Sequence, residues 1–169
     1  MFKRSLAEEC LALAAQSDCT LMKFGALLIK DGEVIGRGYT KKVHPCVARF
    51  QCCEYRKNIR PRGKAERCEA IHAEWAALRD TVRNGHDPSG ASLVICGMGP
   101  SDEAWIREEP YASCTLCARL CALFEIKELI VQVKARNKAG WDFASLSIEQ
   151  ALITSFEVAF GEREIKRAR

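Results

Sequence analysis

Ile71-His72-Ala73-Glu74 and Pro110-Tyr111-Ala112-Ser113-Cys114-Thr115-Leu116-Cys117 together spell H-x-E followed by C-x-x-C, with a proline shortly before the first thiol. One imidazole and two thiolates supply three ligands, the count of a catalytic zinc site whose fourth position stays open for water. Cys114 and Cys117 stand three apart, so in the first turn of a helix they share a face and can grip one ion. The stretch Ala118-Arg119-Leu120-Cys121-Ala122-Leu123-Phe124 combines good helix formers with an apolar stripe, and His72 likewise opens a helical stretch, Trp75 to Arg83. Both sets of ligands are therefore expected at helix N-termini, where the dipole favours thiolate over thiol. A zinc held this way can lower the pKa of a bound water from about 15.7 to about 7.

Glu74 separates catalysis from scaffolding. A structural zinc needs a fourth ligand, but no carboxylate two residues after the histidine. A hydrolytic deaminase needs one, because protons must move from the attacking water to a ring nitrogen and to the departing amine. H-A-E alone reads equally well as an acidic helix start, and C-x-x-C alone as half of a structural zinc knuckle. The two in this order resemble the signature of zinc-dependent base deaminases.

The 169 residues, 48% hydrophobic and 28% charged, suit one globular domain, 1–169, with a real core. No stretch approaches 18 uninterrupted apolar residues, so no transmembrane span is expected, and Glu8 and Glu9 interrupt any signal-peptide pattern. The expected compartment is the cytoplasm. A net charge of +4 is mild, with one basic run at Arg56, Lys57, Arg60, Arg62, Lys64 and Arg67 and another at Arg163, Lys166, Arg167 and Arg169. A phosphate-bearing ligand is compatible with this, whereas a dedicated nucleic-acid surface is not expected, since the first run lacks interleaved aromatics. Ten cysteines without a secretory signal point to metal binding and buried thiols over disulfides.

Residues 3–16 read as an amphipathic helix, Phe24 to Lys30 and Glu33 to Tyr39 as strands joined by an Asp31-Gly32 hairpin turn. Residues 40–67 read as a long basic loop, a length that calls for function or a staple. After the helix ending near Arg83, Ala91 to Cys96 and Glu128 to Val133 read as strands, Ser147 to Thr154 as a helix and Phe156 to Phe160 as a fifth strand. His44 and His86 lack ligand spacing and read as solvated or structural. The order implies an α/β fold, a three-layer α-β-α sandwich around a mixed five-stranded sheet.

Nearly the whole chain resembles the cytidine and deoxycytidylate deaminase superfamily, and the deoxycytidylate (dCMP) deaminases most. The resemblance rests on Ser17-x-Cys19 before Phe24-Gly25-Ala26, Gly36-x-Gly38-Tyr39, Cys53-x-x-Arg56, Pro61-x-Gly63, Cys68-x-x-Ile71-His72-Ala73-Glu74 and Cys114-x-x-Cys117-Ala118-Arg119. It implies a zinc on His72, Cys114 and Cys117, Glu74 as proton shuttle, and substrate contacts at Lys23, Gly25, Ala26, Thr40, Ala73 and Ser113. It also implies a homo-oligomer, and a possible second, structural zinc on Cys19, Cys46 or Cys52, Cys53 and Cys68. Cys10, Cys96 and Cys121, on apolar faces, are expected as buried small hydrophobes.

The chain departs from the family pattern around the substrate. Thr40 follows Gly38-Tyr39 where the family has asparagine, Leu21 and Met22 replace arginines and leave Lys23, Ala76 replaces asparagine after H-A-E, and Ser113 replaces proline after a longer loop. None of these is expected to touch the metal or the shuttle. The leading expectation is hydrolysis of dCMP to dUMP and ammonia. The alternatives are a deaminase of another free base, nucleoside or modified pyrimidine or purine, and a non-catalytic zinc-stabilised binding module. Trp75, Trp105 and Tyr111 could stack on the ring, although packing roles suit each.

Overall fold

Arg4–Ala15 forms helix α1, and the Asp31-Gly32 turn folds Lys23–Lys30 (β1) against Glu33–Tyr39 (β2) as an antiparallel hairpin. Both turn residues adopt positive φ, 52° and 84°, as a two-residue hairpin of the primed type requires. The structure, a computed structural model, describes residues 4–43, 68–99, 101–104, 106–107, 110–111, 113–135 and 141–163. Lys41–Lys42 (β3) and Ala70–Ile71 (β4) pair as a short antiparallel ribbon that delivers the chain to His72. There follow α2 (Ala73–Arg83), β5 (Ser92–Met98), α3 (Thr115–Leu123), β6 (Glu128–Lys134), β7 (Trp141–Ser147) and α4 (Ile148–Phe160). Five strands make one mixed sheet in the order β2-β1-β5-β6-β7, parallel only between β5 and β6.

Alternation along the strands sorts the core into two faces. Ala26 and Leu28 of β1, Leu93 and Ile95 of β5, and Leu129 and Val131 of β6 pack with Ala73, Ala77 and Leu78 of α2, Cys121 of α3 and Ala151 of α4. Leu27, Val94, Cys96 and Ile130 point the other way, onto Cys10, Leu6 and Leu13 of α1. This is the expected three-layer α/β sandwich. Cys10, Cys96 and Cys121 are fully buried, as expected of apolar thiols.

Gly38 sets the distance between β2 and the helix that carries the H-x-E segment. A Cβ there would lie 2.3 Å from the Ala77 nitrogen and 2.4 Å from the Ala73 oxygen, so α2 rests directly on the β2 backbone. Gly38→Ala should push α2 outward at a cost of about 1–3 kcal/mol. The expected result is a lower urea midpoint together with weaker zinc retention, because Ala73 follows His72 directly. A midpoint equal to that of the parent would mean that this contact is looser in solution.

The expected fifth strand at Phe156 to Phe160 is corrected: those residues close α4, and the fifth strand is β7 at Trp141–Ser147. Phe156-Glu157-Val158-Ala159-Phe160 is rich in strand formers, but the helix is nucleated upstream and carries through them. Ser147 Oγ accepts from the Gln150 N–H while the Gln150 side chain accepts from the Ser147 N–H, a full capping box, and Gly161 ends the helix at φ 80°. β7 does not read as a strand because its apolar residues serve both faces. Phe143 packs on the α1 side and Leu146 on the α2 side. No helix among the described residues is long and apolar enough to cross a membrane.

Candidate metal centre

His72 and Cys114 occupy equivalent places, each the extended N-cap residue of a helix. Their backbones, at φ −71° and ψ 153° and at φ −72° and ψ 163°, leave both side chains without a capping bond and able to turn toward each other. Cys117 lies in the first turn of α3. His72 Nδ1 is 3.1 Å from Cys117 Sγ and 3.5 Å from Cys114 Sγ, and the three ligand atoms lie within 4.8 Å of one another. Tetrahedral zinc with bonds of about 2.0–2.3 Å holds its ligands about 3.5–3.8 Å apart, close to the separations at His72. The donor set therefore fits the ion without rearrangement of either helix.

The three ligand groups also shift one another's protonation. Burial works against the His72 proton, but hydrogen bonds to Cys114 and Cys68 and the charge of Glu74 hold the imidazole up to about 11. The hydrogen bond with Cys117, aided by His72 and opposed by burial, brings Cys114 down to about 4. Burial and the neighbouring Cys114 push Cys117 well up. Zinc binding would displace the protons that these three groups share.

Glu74, in the first turn of α2, is only 7% exposed, and Ser113, just before Cys114, is 4% exposed. Ser113 Oγ donates to Glu74 Oε1 at 2.6 Å, so the residue that replaces the family's proline ties the carboxylate to the C-x-x-C segment. Tyr111 is drawn into the same environment. Burial raises its phenol far above the usual range, with Cys114, Glu74 and Cys117 adding to the rise and Arg107 opposing it. Trp75 turns outward and is 40% exposed, while Trp105 lies outside the described residues.

The other expected site residues divide. Ala73 and Ala26 are fully buried in the core face that carries the site. Thr40 is buried and its N–H donates to the Phe24 oxygen at 2.9 Å. Gly25 faces the opposite layer, where a Cβ would lie 2.0 Å from the Cys10 oxygen, so packing against α1 accounts for the glycine. Lys23 is committed to Asp102, with Nζ 2.6 Å from Oδ1. Among the cysteines expected in a second site, Cys19 is buried and Cys68 hydrogen-bonds His72. Cys46, Cys52 and Cys53 lie outside the described residues, as do His44 and the basic run at 56–67. Of the C-terminal basic run only Arg163 is described, and it pairs with Glu157 at 3.5 Å.

Arg107 is the residue that sequence reading passes over. Trp105-Ile106-Arg107-Glu108-Glu109 reads as an acidic loop with an ordinary surface cation, yet Arg107 is 3% exposed and lies under the influence of Tyr111 and Glu74. No periodicity marks it, because its burial follows from where the chain returns to the sheet.

Comparison with known proteins agrees with this geometry. A 24% identical relative over 156 residues, 77% of each chain, is the deoxycytidylate deaminase of Enterobacteria phage T4. Among solved structures, a cytidine deaminase from Burkholderia pseudomallei matches with a TM-score of 0.56 at 18% identity, covering 89% of this chain and 96% of the other. The apo dCMP deaminase of cyanophage S-TIM5 matches with a TM-score of 0.50 at 16% identity, covering 80% and 88%. At such identities the two structures speak for the fold alone. The family model for the cytidine and deoxycytidylate deaminase zinc-binding region matches residues 2–133. That span is most of the chain and holds the H-x-E and C-x-x-C segments entire, so the chain belongs to the cytidine and deoxycytidylate deaminase family, whose members are zinc-dependent hydrolases.

Proposed function

We propose that the chain hydrolyses the 4-amino group of a cytosine ring, with dCMP as substrate and dUMP and ammonia as products. The observation that carries this reading is the buried Glu74 carboxylate, held by Ser113 beside the His72–Cys114–Cys117 triad. The triad holds the zinc, which when bound supplies a water that ionises near neutral pH. Glu74 takes a proton from the attacking water and delivers it to ring nitrogen N3. It then takes the remaining proton from the new C4 hydroxyl and passes it to the exocyclic amine, which leaves as ammonia while C4 becomes a carbonyl. Because Oε1 accepts the Ser113 hydroxyl, Oε2 is the oxygen that carries these protons. Choice of the deoxynucleotide rests on the phage T4 relative and on the family's description. In this reading the whole chain is one deaminase domain that acts in the cytoplasm as a homo-oligomer, and Cys19, Cys46 or Cys52, Cys53 and Cys68 hold a second, structural zinc.

Ammonia release from zinc-loaded protein tests the reading across dCMP, CMP, deoxycytidine, cytidine, cytosine, adenine, guanine and a short cytosine-containing single strand. The expected result is highest kcat/KM on dCMP. Preference for a nucleoside or free base would replace the substrate and keep the chemistry. Silence on every compound, with zinc bound, would leave a zinc-stabilised binding module.

A further inference from the structure

We propose that Arg107 is the anion-binding residue of this site and takes the 5′-phosphate of a nucleoside monophosphate substrate, a role that rests on the deaminase reading above. Its backbone is fixed on the sheet. β5 and β6 pair from Ser92–Glu128 to Ile95–Val131, and beyond that point Arg107 bridges Val133 in parallel. The Arg107 N–H donates to the Gln132 oxygen at 3.4 Å, and its own oxygen accepts from the Lys134 N–H at 2.8 Å. Arg107 thus stands at the carboxyl ends of the two parallel strands, where open α/β sheets receive ligands. Cross-strand neighbours share a face, so its side chain lies with Val133 on the face that carries α2 and Glu74.

Among the described residues no salt bridge joins the guanidinium, and Glu74 acts on it only as a nearby charge. Among the described residues nothing hydrogen-bonds its Nε or Nη1, and the Phe24 ring, 6.0 Å away, offers a cation–π contact that leaves the N–H donors unused. Burial draws it down to about 10, against the influence of Tyr111, Glu74 and Cys96, so it stays charged at neutral pH. A buried, charged donor without a partner is costly in any fold. A phosphate, which the planar fork can bind through two parallel bonds, supplies what is missing; a nucleoside or free base carries no such charge. The cation next in line is spent. Lys23 is bound to Asp102 at 2.6 Å, and the residues before it, Leu21 and Met22, carry no charge.

The test uses zinc-loaded wild type, Arg107→Met and Arg107→Lys in two measurements. In thermal melts, inorganic phosphate should raise the melting temperature of the wild type and not that of Arg107→Met. Without phosphate the methionine variant should melt at or above the wild type, since an unpaired charge has been removed. In steady-state kinetics, Arg107→Met should lose roughly 100-fold in kcat/KM on dCMP, mostly through KM. Its loss on deoxycytidine, which has no phosphate, should be much smaller than on dCMP, and Arg107→Lys should recover part of the dCMP loss. Equal loss on both substrates, or a phosphate shift that survives in Arg107→Met, would overturn the proposal. A lower melting temperature for Arg107→Met with no phosphate shift in the wild type would make Arg107 a structural cation. If the wild type turns over neither compound, the dCMP reading fails and the phosphate shift alone decides Arg107.

Discussion

Glu74→Gln lowers kcat by roughly 10²–10⁴-fold while the zinc stays bound and KM moves little. The amide keeps the shape of the side chain and can still accept the Ser113 hydroxyl through its oxygen, so the 2.6 Å bond that ties α2 to the C-x-x-C segment survives. It cannot carry a proton. Because one carboxylate serves the attacking water, the ring nitrogen and the departing amine, its loss stops more than one transfer at once. Glu74→Ala would be less informative, since it also strands a buried Ser113 hydroxyl and opens a void, costs that fall on stability. Tyr111 is no substitute base, because burial pushes its phenol up and away from ionisation at neutral pH. Zinc analysis and ammonia release on the same preparation decide the matter. A kcat within tenfold of the parent would place the proton path on another group.

The site was legible in the sequence because its chemistry is local. Each motif is written within four residues, and a helix start orients its side chains, so H-x-E and C-x-x-C predict geometry without knowledge of what lies between them. The sheet was legible where one face is apolar and the turn chemistry is explicit, as at Asp31-Gly32. It was not legible at Trp141–Ser147, where Phe143 and Leu146 serve opposite faces and the period is lost. Phe156 to Phe160 misled for the converse reason: local strand preference yields to a helix already capped at Ser147. Arg107 shows a third limit. Its neighbours in sequence are acidic and suggest a solvated loop, whereas its burial comes from pairing with Val133, a contact between residues far apart in the chain. Ser113 was visible only as a departure from the family's proline, and its bond to Glu74 needed the fold to appear.

Cys117→Ser should abolish turnover, empty the catalytic zinc site and remove most of the zinc-dependent stability. Cys117 is the fully buried member of the triad and lies nearest the His72 ring, 3.1 Å from Nδ1. Serine fills nearly the same space, but its hydroxyl does not ionise as a thiol does, which leaves two ligands from different helices to hold the ion. Bound zinc at a thousandfold excess over its dissociation constant stabilises the native state by about 4 kcal/mol. For a chain of this length that corresponds to a melting-temperature shift of about 8–16 °C. The shift between chelated and zinc-loaded samples should be smaller in Cys117→Ser than in the parent by this amount. Cys121→Ser is the control that separates coordination from packing. Cys121 is also fully buried, one turn further along α3, but packs in the core instead of joining the triad. Its substitution should cost about 1–3 kcal/mol for a buried hydroxyl while the zinc shift and turnover persist. If both variants lost zinc alike, the cause would be damage to α3, and the assignment of Cys117 as a ligand would fall.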